Sequence, residues 1–423
     1  MKTFVMILAA LASAGALLGQ NPLPVPPTNT PQSLVIMALS RNPELRYYEQ
    51  EIEAARALRR TAGRLAPPEV SGGVGRKRVQ DLHGSLAGEG TAWSVGLSQS
   101  FEWPGRLGLR KAIANQDVLL AELGLKRFRS ALGARVRGQA HGLIAAREKE
   151  RVAREVADRY RALREVLVQR DPAGVTPQLE LRILEATEIT LRRRVTEAEL
   201  AAEEARLSLN HWLGNPVDAP CELPLAELRL PEAPRREDLL AAALTNNFEL
   251  RVRETELLQQ GLRIDLARNE RWPAIKLGPE FSQESADSRE RIVGLSVSLP
   301  LPLWRGNQSN IEAARARQAQ AETLLFTTRR DLERRIVSAQ VAYAARQGEL
   351  LKWRPDSVKQ FAEAAESADR HYRLGALPAT TYVELQKQYL EAVDSLLESR
   401  REAVTAAVEL EELTGLNLLP DSL

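Results

Sequence analysis

Two stretches of alternating residues sit in a chain otherwise patterned as helix, and they limit its possible folds more than any other feature. In residues 93–103, Trp93, Val95, Leu97, Phe101 and Trp103 alternate with Ser94, Gly96, Ser98, Ser100 and Glu102. In residues 293–302, Val293, Leu295, Val297 and Leu299 alternate with Gly294, Ser296 and Ser298. A period of two describes a strand with one apolar and one polar face. Both stretches contain Val-Gly-Leu-Ser, both run into proline (Pro104; Pro300 and Pro302), and both precede a very long helical pattern.

The remainder has the composition of long packed helices: 27% charged residues and only 5% aromatic ones, too few aromatics for a large globular core. A net charge of +2 gives no ground for a nucleic-acid partner, and the interleaved charges fit solvated helix faces. Residues 1–19 are predicted to be a secretory signal: Lys2 is followed by an apolar run from Phe4 to about Leu18, too short to span a bilayer. No cysteine follows the run to carry a lipid anchor, and the single cysteine, Cys221, excludes an intramolecular disulfide. No later stretch has eighteen consecutive apolar residues, so a membrane crossing by the mature chain must be made with strands.

In order, the chain reads as an extended Pro-rich segment over 20–32 and a first unit over 33–214. A linker follows over 215–236, then a second unit over 237–415 and a tail over 416–423. Each unit is predicted to hold a helix, a β-hairpin (68–103; 273–302), a long helix, a turn (170–177; 373–378) and a return helix. Proline stops the helices before each hairpin, at Pro67-Pro68 and at Trp272-Pro273. The polar segments 79–90 and 284–290 are expected to be hairpin loops. Residues 107–170 contain no proline, and a helix of that length reaches ~95 Å, which implies a coiled-coil-like assembly. The second long helix, 308–373, has one break at Pro355.

The register points to a duplication. Gly174 to Gly214 and Gly375 to Gly415 are each 40 residues apart, and Pro177 and Pro378 each stand three past their glycine. Arg41-Asn42-Pro43-Glu44-Leu45 is matched by Asn246-Asn247-Phe248-Glu249-Leu250. Such an internal repeat outranks any single local assignment.

Four strands cannot close a barrel, because the smallest usual membrane barrel needs about eight. An open sheet edge in lipid leaves backbone groups unpaired, so membrane-spanning strands here must pair across chains. Three copies would supply twelve. The fold expected is therefore mainly α with a small β part, the strands contributing to a trimeric transmembrane barrel. Val95, Leu97, Phe101, Val293, Leu295, Val297 and Leu299 would meet lipid, and the Ser/Gly face would line water. Trp93, Trp103 and Trp304 fall near strand ends, where aromatic belts sit. The competing reading is a soluble α+β protein whose hairpins pack on its own helices.

The run Phe101-Glu102-Trp103-Pro104-Gly105-Arg106-Leu107-Gly108-Leu109-Arg110, the stretch Tyr372-Arg373-Leu374-Gly375, and the later Tyr382-Val383-Glu384-Leu385-Gln386 and Leu390-Glu391-Ala392 resemble the TolC-type outer membrane factors of bacterial efflux pumps. The Pro-Gly-Arg run is most similar to the heavy-metal branch, the cobalt–zinc–cadmium exporters. The resemblance implies a homotrimer with a twelve-stranded barrel in the outer membrane and an α-barrel of antiparallel helical hairpins crossing the periplasm. It also implies a tip that meets a periplasmic adaptor and, through it, an inner-membrane RND-type pump. The adaptor-contact residues would be Gly174, Val175, Leu374, Gly375, Ala376 and Leu377. By offset from the tip glycine, Glu384 matches a gating carboxylate; Thr381 stands where a second acidic residue is expected, and Glu180 is the third gate candidate. No cofactor is implied.

No catalytic or metal chemistry is legible. His83, His141, His211 and His371 stand apart, with no partner at metal-ligand spacing. No phosphate loop, nucleophile elbow or Cys–His pair occurs. The expected function is a passive export duct for small solutes, among them heavy-metal cations. A duct for organic toxins or secreted proteins stays open, as does a periplasmic scaffold without a pore.

Overall fold

The computed structural model describes residues 30–419 except 81–82, 85, 171–174, 225–229, 287, 302–306 and 354–356; for 166–170 and 175–180 only the backbone is described. The predicted signal, the first tip turn with Gly174, and Pro302, Trp304 and Pro355 lie outside the described residues, as do the side chains of Val175 and Glu180.

The first half runs α1 (Pro31–Arg41), α2 (Glu44–Ala62), β1 (Glu69–Gln80), β2 (Leu86–Phe101), α3 (Arg106–Arg170) and α4 (Val175–Leu213). The second runs α5 (Arg236–Asn246), α6 (Phe248–Asn269), β3 (Ile275–Ser285), β4 (Arg289–Ser298), α7 (Gln308–Lys352), α8 (Ser357–Arg373) and α9 (Ala379–Thr414). The elements follow one another in the same order in both halves, except that the second long helix is two helices, α7 and α8. Trp353 caps α7 in an extended conformation.

Local chemistry sets the breaks. Thr30 caps α1: its hydroxyl accepts from the Ser33 amide, while the Ser33 hydroxyl accepts from the Thr30 amide, with Pro31 in the first turn. α1 stops at Asn42 because Pro43 excludes helical backbone before it. Asn42 then accepts the Glu44 amide at 2.8 Å, as Asn247 accepts the Leu250 amide at 3.1 Å. Each asparagine also donates its side-chain amide to the end of its half's return helix, Asn42 to the Trp212 carbonyl at 2.9 Å and Asn247 to the Leu413 carbonyl at 3.0 Å. Those return helices end on Gly214 and Gly415, both at positive φ.

The hydrophobic interior is strung along the long axis instead of gathered into one core. One cluster joins Leu34, Leu132, Leu143, Leu209 and Leu213. Another joins Leu239, Ile336, Tyr343 and Leu410. A third, further along α3 and α9, joins Val156, Tyr160, Leu184, Tyr372, Tyr382 and Tyr389. α3 is the spine, packing against α1, α2, α4, α6 and α9. Buried Glu411 ties this body together: it accepts Arg137 of α3 at 2.6 Å and the amides of Leu418 and Leu419 at 2.7 Å.

The hairpin loops are shorter than the polar sequence predicts. Val79 and Gln80 are in β1, residues 86–90 open β2, Glu284 and Ser285 end β3, and Arg289 and Glu290 begin β4. Cross-strand ion pairs account for this, as Arg78 meets Glu89 at 2.5 Å and Lys77 meets Glu284 at 2.8 Å. Trp103 and Leu299 fall just beyond their strands, which end at Phe101 and Ser298.

Candidate functional site

The four strands form one antiparallel sheet in the order β1-β2-β3-β4. The two hairpins are thus joined inside the chain through β2 and β3, where Val95 faces Phe281 and Phe101 faces Ile275. β1 and β4 are left as edges. Among the described residues the strands make their substantial contacts only with one another, and no helix covers either face of the sheet. This is opposite to the packing of a soluble α+β protein.

Register sorts the side chains into two faces, since paired residues share a side. Val70 pairs with Leu97, Leu277 with Val297, Pro279 with Leu295, and Phe281 with Val293. Trp93, Val95, Leu97 and Phe101 of β2 and Val293, Leu295 and Val297 of β4 are all exposed, Val293 to 80% and Leu295 to 72%, and Val74 on β1 reaches 91%. Leu299, just past β4, is exposed as well. So continuous an apolar surface requires a partner phase. From Trp93 to Phe101 a strand covers ~27 Å, which at the ~40° tilt of membrane barrels projects to roughly 20 Å, against an apolar band of about 25 Å.

The other face is mostly small and polar, with Ser94, Gly96 and Ser98 on β2 beside Ser282 on β3 and Ser296 on β4, and Ile292 of β4 is an exposed apolar exception. Charges on it are paired across the sheet. Lys77 lies opposite Gly90, where no side chain blocks it, and reaches over β2 to Glu284 at 2.8 Å and Glu290 at 3.2 Å. Lys276 crosses β2 in the other direction to Glu69 at 2.6 Å. Glu280 is exposed on this face and makes no ion pair among the described residues.

A buried joint fixes the sheet to the helices. Arg106, 6% exposed at the start of α3, donates to the Asn269 side chain at 3.0 Å, the Asn269 carbonyl at 3.1 Å and the Trp272 carbonyl at 2.5 Å. The Asn269 amide returns a bond to the Pro104 carbonyl at 2.9 Å. Trp103 and Trp272 stack at 5.1 Å beside them. The exit of β2 and the approach to β3 are thereby held as one piece. Pattern reading missed Arg106 and Asn269 because neither belongs to an apolar period; the Pro-Gly-Arg string, placed where a strand meets a helix, was the available signal.

At the far end, the α8–α9 turn presents Leu374, 81% exposed, with Gly375 at φ 72° and Ala376 exposed beside it. Leu377 folds back to pack on the nearest cluster. Two bonds close the turn, Gly375 to the Tyr372 carbonyl and Ala376 to the His371 carbonyl, both 2.9 Å. Just inside it, Tyr382 is fully buried, stacked on Tyr372 at 5.0 Å and tilted on Tyr160 at 5.3 Å. Burial, reinforced by the Asp369 carboxylate, pushes the Tyr382 hydroxyl far above its ordinary range, so it stays neutral. Thr381 and Glu384 lie on the exposed side of α9, one turn apart, where Glu384 accepts from Gln388 at 2.8 Å.

Among the described residues no group of three His, Cys, Asp or Glu side chains could hold a metal ion. Cys221 is buried, and burial raises its thiol above the usual range, away from nucleophilic use. No described helix is long and apolar enough to cross a membrane.

The model of one protein family, the outer membrane efflux proteins, matches residues 34–215 and 239–416. The pyoverdine export outer membrane protein OpmQ of Pseudomonas putida is 24% identical over 408 residues, covering 90% of this chain and 85% of that one. Among solved structures, the Campylobacter jejuni CmeC outer membrane channel superposes with a TM-score of 0.73 at 17% identity, covering 93% of this chain and 87% of that one. A structure of CusC superposes with a TM-score of 0.70 at 19% identity, covering 92% of both chains.

Proposed function

The chain belongs to the outer membrane efflux protein family, and we propose that it works as the outer-membrane duct of a tripartite export system. Members of the family are channels and not enzymes, and the chain's place is the outer membrane, with its helical body on the periplasmic side.

The observation that carries the proposal is the bare sheet: four strands, two unpaired edges, one greasy face and one Ser/Gly face, with no helix against either. Three copies joined edge to edge give a closed twelve-stranded wall, lipid outside and water within. The helices would continue it as a periplasmic α-barrel. The matched roles of Asn42 and Asn247, and of Gly214 and Gly415, support reading each chain as two copies of one unit. The exposed turn at Leu374, Gly375 and Ala376, with its counterpart at Gly174 and Val175, would seat the periplasmic adaptor. Glu384, Thr381 and Glu180 would ring the constriction just inside, and adaptor docking would dilate it. An inner-membrane pump of the RND type would supply the energy.

Cargo is the finer question. A heavy-metal cargo rests on the 101–110 run alone, and Arg106 has a structural task there as the joint between sheet and helices. The OpmQ relative, named for pyoverdine export, favours an organic cargo. Single-channel recording of the full chain in a planar bilayer, with cross-linking in membranes, tests the duct. Stable conductance and a trimer band are expected, whereas protein that washes off the membrane and never conducts would leave only a scaffold.

A further inference from the structure

We propose that the outer end of the sheet's apolar side binds the phosphate groups of anionic membrane lipids, through Arg76 of β1 and Arg289 and Arg291 of β4. The proposal rests on the duct reading above. The apolar rows end within two steps. Val74, Trp93, Gln283 and Arg291 share one row of the sheet, and the next row outward is Arg76, Thr91, Ser285 and Arg289. All lie on the face that carries Val95, Phe281 and Val293. The three guanidiniums therefore stand just beyond the greasy band, on the hairpin side, where lipid headgroups follow acyl chains.

They are also available. Arg76, Arg289 and Arg291 are exposed and make no ion pair among the described residues. Arg78, one row further out, is already held by Glu89 at 2.5 Å. Arginine's planar fork suits phosphate oxygens, and charge-assisted bonds of this kind are the strong ones.

Within one chain β1 and β4 are ~14 Å apart, three inter-strand spacings. Closing the wall changes that. β1 runs toward the hairpin end and β4 away from it, so β4 of one copy meets β1 of the next antiparallel, outer end to outer end. Arg289 and Arg291 of one protomer then stand beside Arg76 of its neighbour, one cluster at each of three seams. A phosphate bound there belongs to a molecule whose tails lie on Val293 and Leu295. That continuity with the apolar band selects a lipid over a free anion.

The test uses the full-length trimer in detergent. Native mass spectrometry counts retained phosphatidylglycerol against phosphatidylcholine, with inorganic phosphate as competitor. The triple variant R76Q/R289Q/R291Q should lose the preference for phosphatidylglycerol, by about fivefold for each arginine at low ionic strength. It should still cross-link and conduct, and R76K/R289K/R291K should be intermediate. Equal retention by wild type and the glutamine variant overturns the site, as does displacement of the lipid by inorganic phosphate. A wild type that neither conducts nor cross-links fails the duct reading and this site together; one that does both without the preference fails this site alone.

Discussion

Asn42 and Asn247 do the same work at matching places in the two halves. Each ends one short helix, opens the next through its side-chain oxygen, and donates its amide to a carbonyl at the end of a return helix, at 2.9 Å for Asn42 and 3.0 Å for Asn247. Both are buried, so each is a hinge pin with no water to replace its bonds. Asn247→Ala should cost about 1–3 kcal/mol, the loss of a cap together with an unsatisfied buried carbonyl. Asn247→Asp keeps the acceptor and loses only the donor, and should fall between. Thermal unfolding followed by circular dichroism checks the order, and equal stability of all three forms would contradict it.

Gly278 on β3 and Gly90 on β2 are two points where the halves approach too closely for any side chain. A Cβ at Gly278 would stand 1.7 Å from the Leu97 carbonyl oxygen and 2.7 Å from the Ser98 Cα. Gly278→Ala should therefore force β2 and β3 apart, at about 1–3 kcal/mol or more. Since no helix packs on the sheet, the helical signal should survive, while cross-linking of the proposed trimer in membranes should be lost. A variant that cross-links as well as wild type would show that the strands can give way.

Glu384 stands on the exposed side of α9 with Gln388 as its partner at 2.8 Å. If that side faces the passage, Glu384→Gln should lower the preference for cations in planar-bilayer recordings and leave the trimer intact. Thr381→Asp, one turn away, should raise it. Unchanged reversal potentials in both variants would move the constriction elsewhere.

His141 should make the helical body less stable in acid. Burial, helped by Arg137 one turn earlier, holds its imidazole below the ordinary 6.5. The unfolded chain then takes up the proton first as the pH falls. The His141 contribution is complete above about pH 6.5 and is lost as the pH drops toward the depressed folded value. The Glu398 carboxylate, held below its usual 4.5 by Arg401 and then Lys149, keeps its stabilising effect until lower pH still. His141→Gln should lessen the fall in melting temperature as the pH drops below about 6.5, and a wild-type slope in the variant would rule this out.

Much of this was legible in the chain. The period of two at Trp93, Val95 and Leu97 marked a strand with a greasy side, and the prolines and glycines marked where helices stop, because both signals act over a few residues. The union of the hairpins through β2 and β3 was not legible, since Val95 meets Phe281 only by tertiary pairing. Nor was the Arg106 joint, whose partners Asn269 and Trp272 lie far along the chain. The polar hairpin ends read as loops in the sequence because Lys77 and Arg78 find their carboxylates on other strands. At the tip, the carbonyl bonds that close the α8–α9 turn follow from Gly375, but the direction in which Glu384 faces depends on the helices around α9.

The bare edges of β1 and β4 carry a cost during biogenesis. A newly exported copy offers two rows of unsatisfied backbone amides and carbonyls to any extended segment it meets, the hallmark of an aggregation template. A helical body that folds in water on its own leaves only the ribbon to be sheltered. A chaperone guarding this protein would therefore need to grip only the strands of 12, 16, 11 and 10 residues, and, for the trimer proposed above, only until two sisters arrive.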